Sequence, residues 1–562
     1  MNILGVSCHY HDSAASLVKD GVLIAAAEEE RFTRKKHDNT FPTNAIQYCL
    51  KEGKITADEI DVVAFYDKPM LKFDRILHTC VSTFPKSFWM FWDAVPQWMT
   101  EKLRVPSLLK NKIGYKGEVL FIEHHKSHAA SAFFVSPFKE SAIVTIDGIG
   151  EWTSAAIHYG KDNDIETLKE IRFPHSLGLF YSTITSYLGF KVNNDEYKVM
   201  GLAAYGKPAY YDKFKNIVDV KEDGSFNLNM KYFSYTHDKK MFSNEFEREF
   251  GPRREYESKI TKRHKDIAST LQKLTEEIML KIANYAHSLT GSENLCMAGG
   301  VALNCVANGR IIREGPFKRV FIQPAATDAG GSLGAAFYAY NKIYENRRKY
   351  VMTDAYLGPS FVEAEIKDFL ENSRIEYERM NKKKLLEKIA HIIAEDKIVG
   401  WFQGRLEFGP RALGNRSILA NPKNPKMKDI LNKKVKHREP FRPFAPSILL
   451  RNAKDYLVGA CDSPFMILAF DVKRDKIKDI ISATHIDGTC RPQTVTREEN
   501  KLYYDLIKKF SEITGVPAVI NTSFNVRGEP IVCTHIDAFN TFVKTDIDYL
   551  VLGNYIISKE GY

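Results

Sequence analysis

No two cysteines stand close together in this 562-residue chain: the eight of them occur singly at 8, 49, 80, 296, 305, 461, 490 and 533. That scatter excludes a CxxC motif and a disulfide framework, and it predicts a reducing, cytoplasmic setting. Long hydrophobic runs are missing as well. No stretch approaches the roughly 18 apolar residues of a membrane span, and the opening MNILGVSCHYHD turns polar too early for a signal peptide. Charge of one sign is also lacking. The 80 basic and 70 acidic side chains are interleaved, so the net charge of +10 argues against a nucleic-acid tail while leaving room for a local basic cleft. Tryptophan is scarce, yet three of the five fall in TFPKSFWMFWDAVPQWM from Thr83. The lysine, aspartate and two prolines of that segment exclude a span. It reads as a partly buried lid, a homodimer contact, an acceptor-binding surface or core packing.

What is present points to an α/β protein with large cores and roughly two to four domains. Residues 2 to 30 read as strand, loop CHYHDS, strand, a turn at Asp20-Gly21, then strand. Residues 142 to 170 repeat that plan around the loop DGIGEW. A strand–loop–strand–hairpin found twice is how each half of the actin and sugar-kinase fold opens. Apolar residues at Ile267, Leu271, Leu274, Ile278, Ile282 and Tyr285 predict an amphipathic helix that stops before Gly291. Strand NLCMA follows, then Gly299-Gly300, whose amides at a helix start would face outward toward phosphate or ribose oxygens. Composition shifts between residues 345 and 384. Beyond it come a helix around Leu385 to Ala394, strand IVGWFQ, strand PAVIN, helix HIDAFNTFVK and strand YLVLGNYII.

Four basic stretches occupy this second region: GRLEFGPRALGNRSILA from Gly404, KKVKHREPFRPFAPS from Lys433, CRPQTV from Cys490 and NTSFNVRGEP from Asn521. Arginine forks beside glycines suit a small phosphorylated ligand, because the fork takes phosphate oxygens in pairs and glycine lets backbone amides approach. In the first region, His124 and His128 stand four apart on an expected helix, so both rings point to one side. With Asp147 closing a strand and Asp328 opening a small-residue helix, they suit Fe(II), Mn(II) or Zn(II). His11-Asp12 lies where kinases of this fold begin Asp-x-Gly. A histidine there favours deprotonating an acceptor hydroxyl, although a structural role fits the residue type equally well.

In this order, HDSAAS at His11, EEERFTRKKHD at Glu28, HHKSHAASAF at His124, DGIGE at Asp147, PHSLGLFYS at Pro174, DEYKVMGLAAYG at Asp195, GGVALN at Gly299, DAGGSLGAA at Asp328 and the four basic stretches resemble the O-carbamoyltransferase family of the NodU/CmcH type. The likeness covers nearly the whole chain. It implies a duplicated actin/sugar-kinase-like (ASKHA) domain over 1–355, a linker over 356–384 and a YrdC-like α/β domain over 385–562. The implied chemistry converts carbamoyl phosphate and ATP, with Mg, to carbamoyl-adenylate, then passes the carbamoyl group to a hydroxyl of a sugar or natural product. On this resemblance Arg411, Lys436, Arg491 and Ser523 hold carbamoyl phosphate and the adenylate, with Arg442 and Arg527 as neighbours. His124, His128, Asp147 and Asp328 hold the metal, with Fe(II) favoured. Asp147, Gly148, Gly299, Gly300, Asn304 and Asp328 face the nucleotide. His11, Asp12 and Lys198 face the acceptor, and no nucleic acid takes part. A tRNA threonylcarbamoylation enzyme, a kinase of the same fold and a non-catalytic nucleotide-binding protein are the rival readings.

Overall fold

A computed structural model describes residues 1–560, which form two compact units: residues 1–29 with 37–352, and residues 30–36 with 353–560. The first unit holds two five-stranded sheets. In one, β1 (Asn2–Ser7), β2 (Ala14–Lys19) and β3 (Val22–Glu28) form an antiparallel meander, and β4 (Val62–Phe65) and β5 (Glu118–Phe121) extend β1's other edge in parallel. The second sheet repeats the pattern. β6 (Glu140–Ile146), β7 (Thr153–Lys161) and β8 (Asp164–Arg172) make the meander, while β9 (Asn294–Ala298) and β10 (Arg319–Ile322) run parallel beside β6. This duplicated topology is the ASKHA arrangement. Strands β1, β6 and β9 are buried almost end to end, as expected of strands covered on both faces.

Helices set the positions of the chemistry-bearing residues. Helix His124–Phe133 follows β5, and helix Asp328–Phe337 packs against it. The run DAGGSLGAA permits that closeness: a Cβ on Gly334 would stand 1.9 Å from the Ser127 carbonyl oxygen. The long helix spans Lys262–Thr290, starting earlier than its apolar spacing predicts because Thr261 and His264 form a capping box. In the aromatic segment, helix Phe88–Thr100 buries Trp98 against Phe73, while Trp89 and Trp92 stay 73% and 66% exposed. No helix among the described residues is long and apolar enough to cross a membrane.

The second unit is built on one mixed eight-stranded sheet. Its strands are β11 (Glu378–Arg379), β12 (Val399–Phe402), β13 (Arg416–Ala420), β14 (Ala445–Leu449), β15 (Gln493–Val495), β16 (Ala518–Ser523), β17 (Tyr549–Leu552) and β18 (Tyr555–Ser558), in the order β11-β18-β17-β12-β13-β16-β14-β15. Two sequence expectations are corrected here. The stretch 356–384 is not a linker: helix Glu363–Asn372 places Ile366 and Leu370 in the same core as Ile418 and Leu550, and the unit begins at Thr353. YLVLGNYII is not one strand but a hairpin, β17 and β18, turning at Gly553-Asn554.

Residues 30–36, far upstream in sequence, belong to this unit. Arg31 donates to the Gly409 carbonyl at 2.8 Å, and Arg34 donates to the carbonyls of Ile531 and Pro530 at 2.6 and 2.9 Å. Phe32 packs against Leu406, Ala412, Ile531 and Cys533.

Candidate functional site

In the first unit, His124 and His128 rise on one helix face toward Asp147, just beyond β6, and Asp328, the first residue of its helix. The two Nε2 atoms are 3.1 Å apart, so both cannot carry a hydrogen. His124 Nε2 lies 3.1 Å from Asp147 and 3.7 Å from Asp328, and His128 Nε2 lies 3.9 and 3.8 Å from the same carboxylates. One ligand atom from each residue falls within 4.8 Å of all the others. Such spacings suit ligands about 2 Å from a common centre.

The electrostatics fit a cation as well. Burial works against the Asp147 charge, but the hydrogen bond from His124 and the Gly300 amide help hold its carboxyl well below the usual range. Burial and the neighbouring Asp147 carboxylate push Asp328 up to about 8. Burial keeps both histidines below their usual pKa, so their ring nitrogens are available as neutral ligands. Tyr66 O–H donates to Asp328 at 3.4 Å.

Several expected nucleotide contacts are already committed within the protein. The Gly300 amide donates to Asp147 Oδ1 at 2.8 Å rather than facing outward. Asn304 caps the helix start at Ala307 and exchanges amide hydrogen bonds with Gln272. The Gly148 carbonyl accepts from the Ser176 hydroxyl at 2.6 Å. Lys198, expected toward the acceptor, is buried in helix Glu196–Ala203 and ion-paired with Asp195 at 3.1 Å.

His11 and Asp12 do meet, and a third residue joins them. His11 Nδ1 is 2.9 Å from Asp12, whose other carboxylate oxygen is 2.7 Å from His37 Nδ1. His11 Nε2 is 2.6 Å from the Asn193 carbonyl. Burial opposes the charge on His11, yet the Asp12 carboxylate and the Asn193 carbonyl outweigh it and push its pKa up to about 10.

In the second unit, register alone gathers the basic stretches. Ser417 of β13 pairs with Ser523 of β16, Asn521 with Ala445 of β14, and Ser447 with Gln493 of β15. The loops carrying Arg411, Lys436 to Arg442, Arg491 and Ser523 to Arg527 therefore emerge at one end of four adjacent strands. Lys436 is the deepest of these cations, 3% exposed. Its ammonium donates to the Ser523 carbonyl and, at 3.0 Å each, to the carbonyl and Oδ1 of Asn525. Burial first, then the charges of Arg438, Arg442 and Lys36, force its pKa well below the usual ammonium value.

Two arginines of the first stretch have other work. Arg416 is fully buried, stacked 3.7 Å from Phe402, and donates to main-chain carbonyls including Pro359. Arg405 donates to the carbonyls of Leu357 and Gly358. Glu407 holds the loop around Arg411: one carboxylate oxygen accepts from the amides of Leu413, Asn415 and Arg416 at 2.7, 2.9 and 3.2 Å. Glu407, Asn525 and His37 were not singled out from sequence, although each lies inside a quoted motif. Arg527 is exposed at the rim.

A family model described as "Carbamoyltransferase N-terminus" matches residues 2–337, and one described as "Carbamoyltransferase C-terminus" matches 390–559. The chain is 47% identical to "Uncharacterized protein sll1178" of Synechocystis sp., over 99% of this chain and 97% of that one. It is 39% identical to "Nodulation protein NolNO" of Sinorhizobium fredii, over 98% of this chain and 79% of the relative. Against "Nodulation protein NolO" of Bradyrhizobium diazoefficiens the identity is 37%, over 78% of this chain and 79% of the relative.

Proposed function

This chain belongs to the carbamoyltransferase family, and we propose that within it the protein is an ATP-dependent O-carbamoyltransferase acting on a hydroxyl of a small sugar or natural product. In the second unit one water molecule attacks carbamoyl phosphate, giving carbamate its second oxygen, and phosphate leaves as the leaving group. A carbamate oxygen attacks the α-phosphorus of ATP and pyrophosphate leaves. In the first unit the acceptor oxygen attacks the carbamoyl carbon of the adenylate, the bond from that carbon to the phosphate oxygen breaks, and AMP leaves with the electron pair.

Lys436 carries this reading. A buried ammonium whose nearest partners are neutral oxygens, crowded by Arg438, Arg442 and Lys36, is an unfavourable arrangement unless an anion joins it. Ser523 and Asn525 orient the ammonium, and Arg411, Arg442 and Arg491 reach the same end of the sheet to take further phosphate oxygens. Exclusion of bulk water after that first step is required because carbamate decomposes quickly in water.

His124, His128, Asp147 and Asp328 would hold a divalent ion, Fe(II), Mn(II) or Zn(II), supplying Lewis-acid stabilisation of the departing phosphate charge. His11, oriented by Asp12, receives the acceptor's proton on Nε2 once that nitrogen has left the Asn193 carbonyl and released its own proton to solvent. Incubation of the protein with carbamoyl phosphate and ATP is expected to release phosphate and pyrophosphate, with AMP following when an acceptor is supplied. Absence of pyrophosphate release and of pyrophosphate–ATP exchange under every metal tried would reject the proposal. Threonine-stimulated pyrophosphate release without carbamoyl phosphate would instead favour a threonylcarbamoylation enzyme.

A further inference from the structure

His37 has no part in the metal centre, yet its ring is fixed at both nitrogens. Asn194 donates through Nδ2 to Asp195 at 3.0 Å, which turns its Oδ1 toward His37 Nε2, 2.8 Å away. An amide oxygen only accepts, so His37 Nε2 carries a hydrogen. The Asn193 carbonyl makes the same demand of His11 Nε2 at 2.6 Å. Both rings then turn Nδ1 to one carboxylate, that of Asp12, whose backbone holds φ +43 to reach between them. The rings lie 4.7 Å apart. Two consecutive asparagines thus fix the outer nitrogens of two histidines, and one aspartate holds the inner pair.

We propose that His37 is a positioning residue for carbamoyl transfer: it holds Asp12, Asp12 holds the ring of His11, and the Asn193 carbonyl stands where the acceptor hydroxyl docks on His11 Nε2. This assignment rests on the reading of His11 as the transfer base. A carboxylate bonded to one histidine can swing, whereas one bonded at each oxygen to a separate ring has its plane set, and the direction of His11 Nε2 is set with it. The carbonyl is in the position of a neutral oxygen that accepts from Nε2 at rest. An acceptor hydroxyl arriving there displaces it and first accepts from Nε2–H; once that hydrogen has passed to solvent, the hydroxyl gives its own proton to the freed nitrogen lone pair.

Other charged groups face this cluster. His11 also feels the Asp328 carboxylate. Asp195 takes the Asn194 amide and pairs with Lys198, and Glu196 accepts from the Asn193 amide at 2.8 Å. None of them touches both oxygens of Asp12, which among the described residues only His11 and His37 bracket.

Two substitutions separate positioning from simple space filling. His37→Asn keeps a donor where Nδ1 stands, on Asp12; His37→Gln keeps one where Nε2 stands, on Asn194. Side-chain nitrogen spectra of the full chain labelled at histidine, with His11→Asn to assign the His11 signals, read the protonation of His11 directly. In the wild type and in His37→Asn, both His11 nitrogens are expected to stay protonated at pH 8. In His37→Gln, the His11 proton affinity is expected to fall at least tenfold. Equal titration of His11 in the two variants, or a neutral His11 ring at pH 8 in the wild type, would overturn the inference. A wild type that releases no AMP would remove the transfer reading but leave the nitrogen spectra unchanged, so the two failures are distinguishable.

Discussion

The Lys436 ammonium lies 3.0 Å from both the main-chain and the side-chain oxygen of Asn525, and among the described residues it pairs with no carboxylate. Replacing it with methionine removes the charge while keeping the packing. Loss of a charged partner for a buried anion costs roughly 2–5 kcal/mol, so phosphate release from carbamoyl phosphate is expected to fall by roughly thirty- to several-thousand-fold. Unchanged phosphate release would remove Lys436 from the pocket chemistry.

Glu407 should matter through the loop it holds. With three main-chain amides on one carboxylate oxygen, Glu407→Gln is expected to destabilise the second unit by about 1–3 kcal/mol in urea unfolding, because a neutral amide accepts more weakly and brings donors of its own into a buried site. The KM for carbamoyl phosphate should rise with it as Arg411 loses its anchorage. Full stability with normal KM would contradict this account.

Metal binding should depend on pH in a defined direction. In the metal-free chain Asp328 is pushed up to about 8, so below that pH its carboxyl holds a proton that an incoming ion must displace. Both histidines sit below their usual pKa and need no deprotonation there. Affinity for Zn(II) or Mn(II) is expected to fall about tenfold per pH unit below 8 and to level off above it. Calorimetric titrations in buffers of different ionisation enthalpy would count the proton released, and a pH-independent affinity between 6.5 and 8 would refute the coupling.

His11→Asn should divide the reaction. On the proposed reaction pyrophosphate release falls to the second unit and is expected to persist, whereas AMP release on supplying an acceptor should drop by about 10²–10⁴. Equal loss of both would assign His11 a structural role.

Strands, turns and the meeting of His124 and His128 with Asp147 and Asp328 were legible in the sequence because each leaves a local mark: alternation, Asp20-Gly21, histidines four apart, an aspartate at a strand end. Helix Glu363–Asn372 was missed because its apolar positions, Ile366 and Leu370, are few and sit among charges. The pairing of Lys198 with Asp195, three residues earlier, was not legible because a lone lysine in a motif says nothing of its partner. Arg405 and Arg416 could not be told from Arg411 for the same reason: each is an arginine among glycines, and only tertiary contacts with main-chain carbonyls mark the first two as structural. His37 was hidden because Asp12 and Asn194 come to it from distant parts of the sequence.

The strap of residues 30–36 has a consequence for dissecting the protein. A gene divided at residue 352 would yield a C-terminal fragment lacking Phe32 and the guanidinium groups of Arg31 and Arg34, and so missing apolar cover over Leu406 and Ile531. Chimeras that exchange acceptor specificity between relatives must therefore carry the recipient's own heptapeptide, or transplant both stretches together.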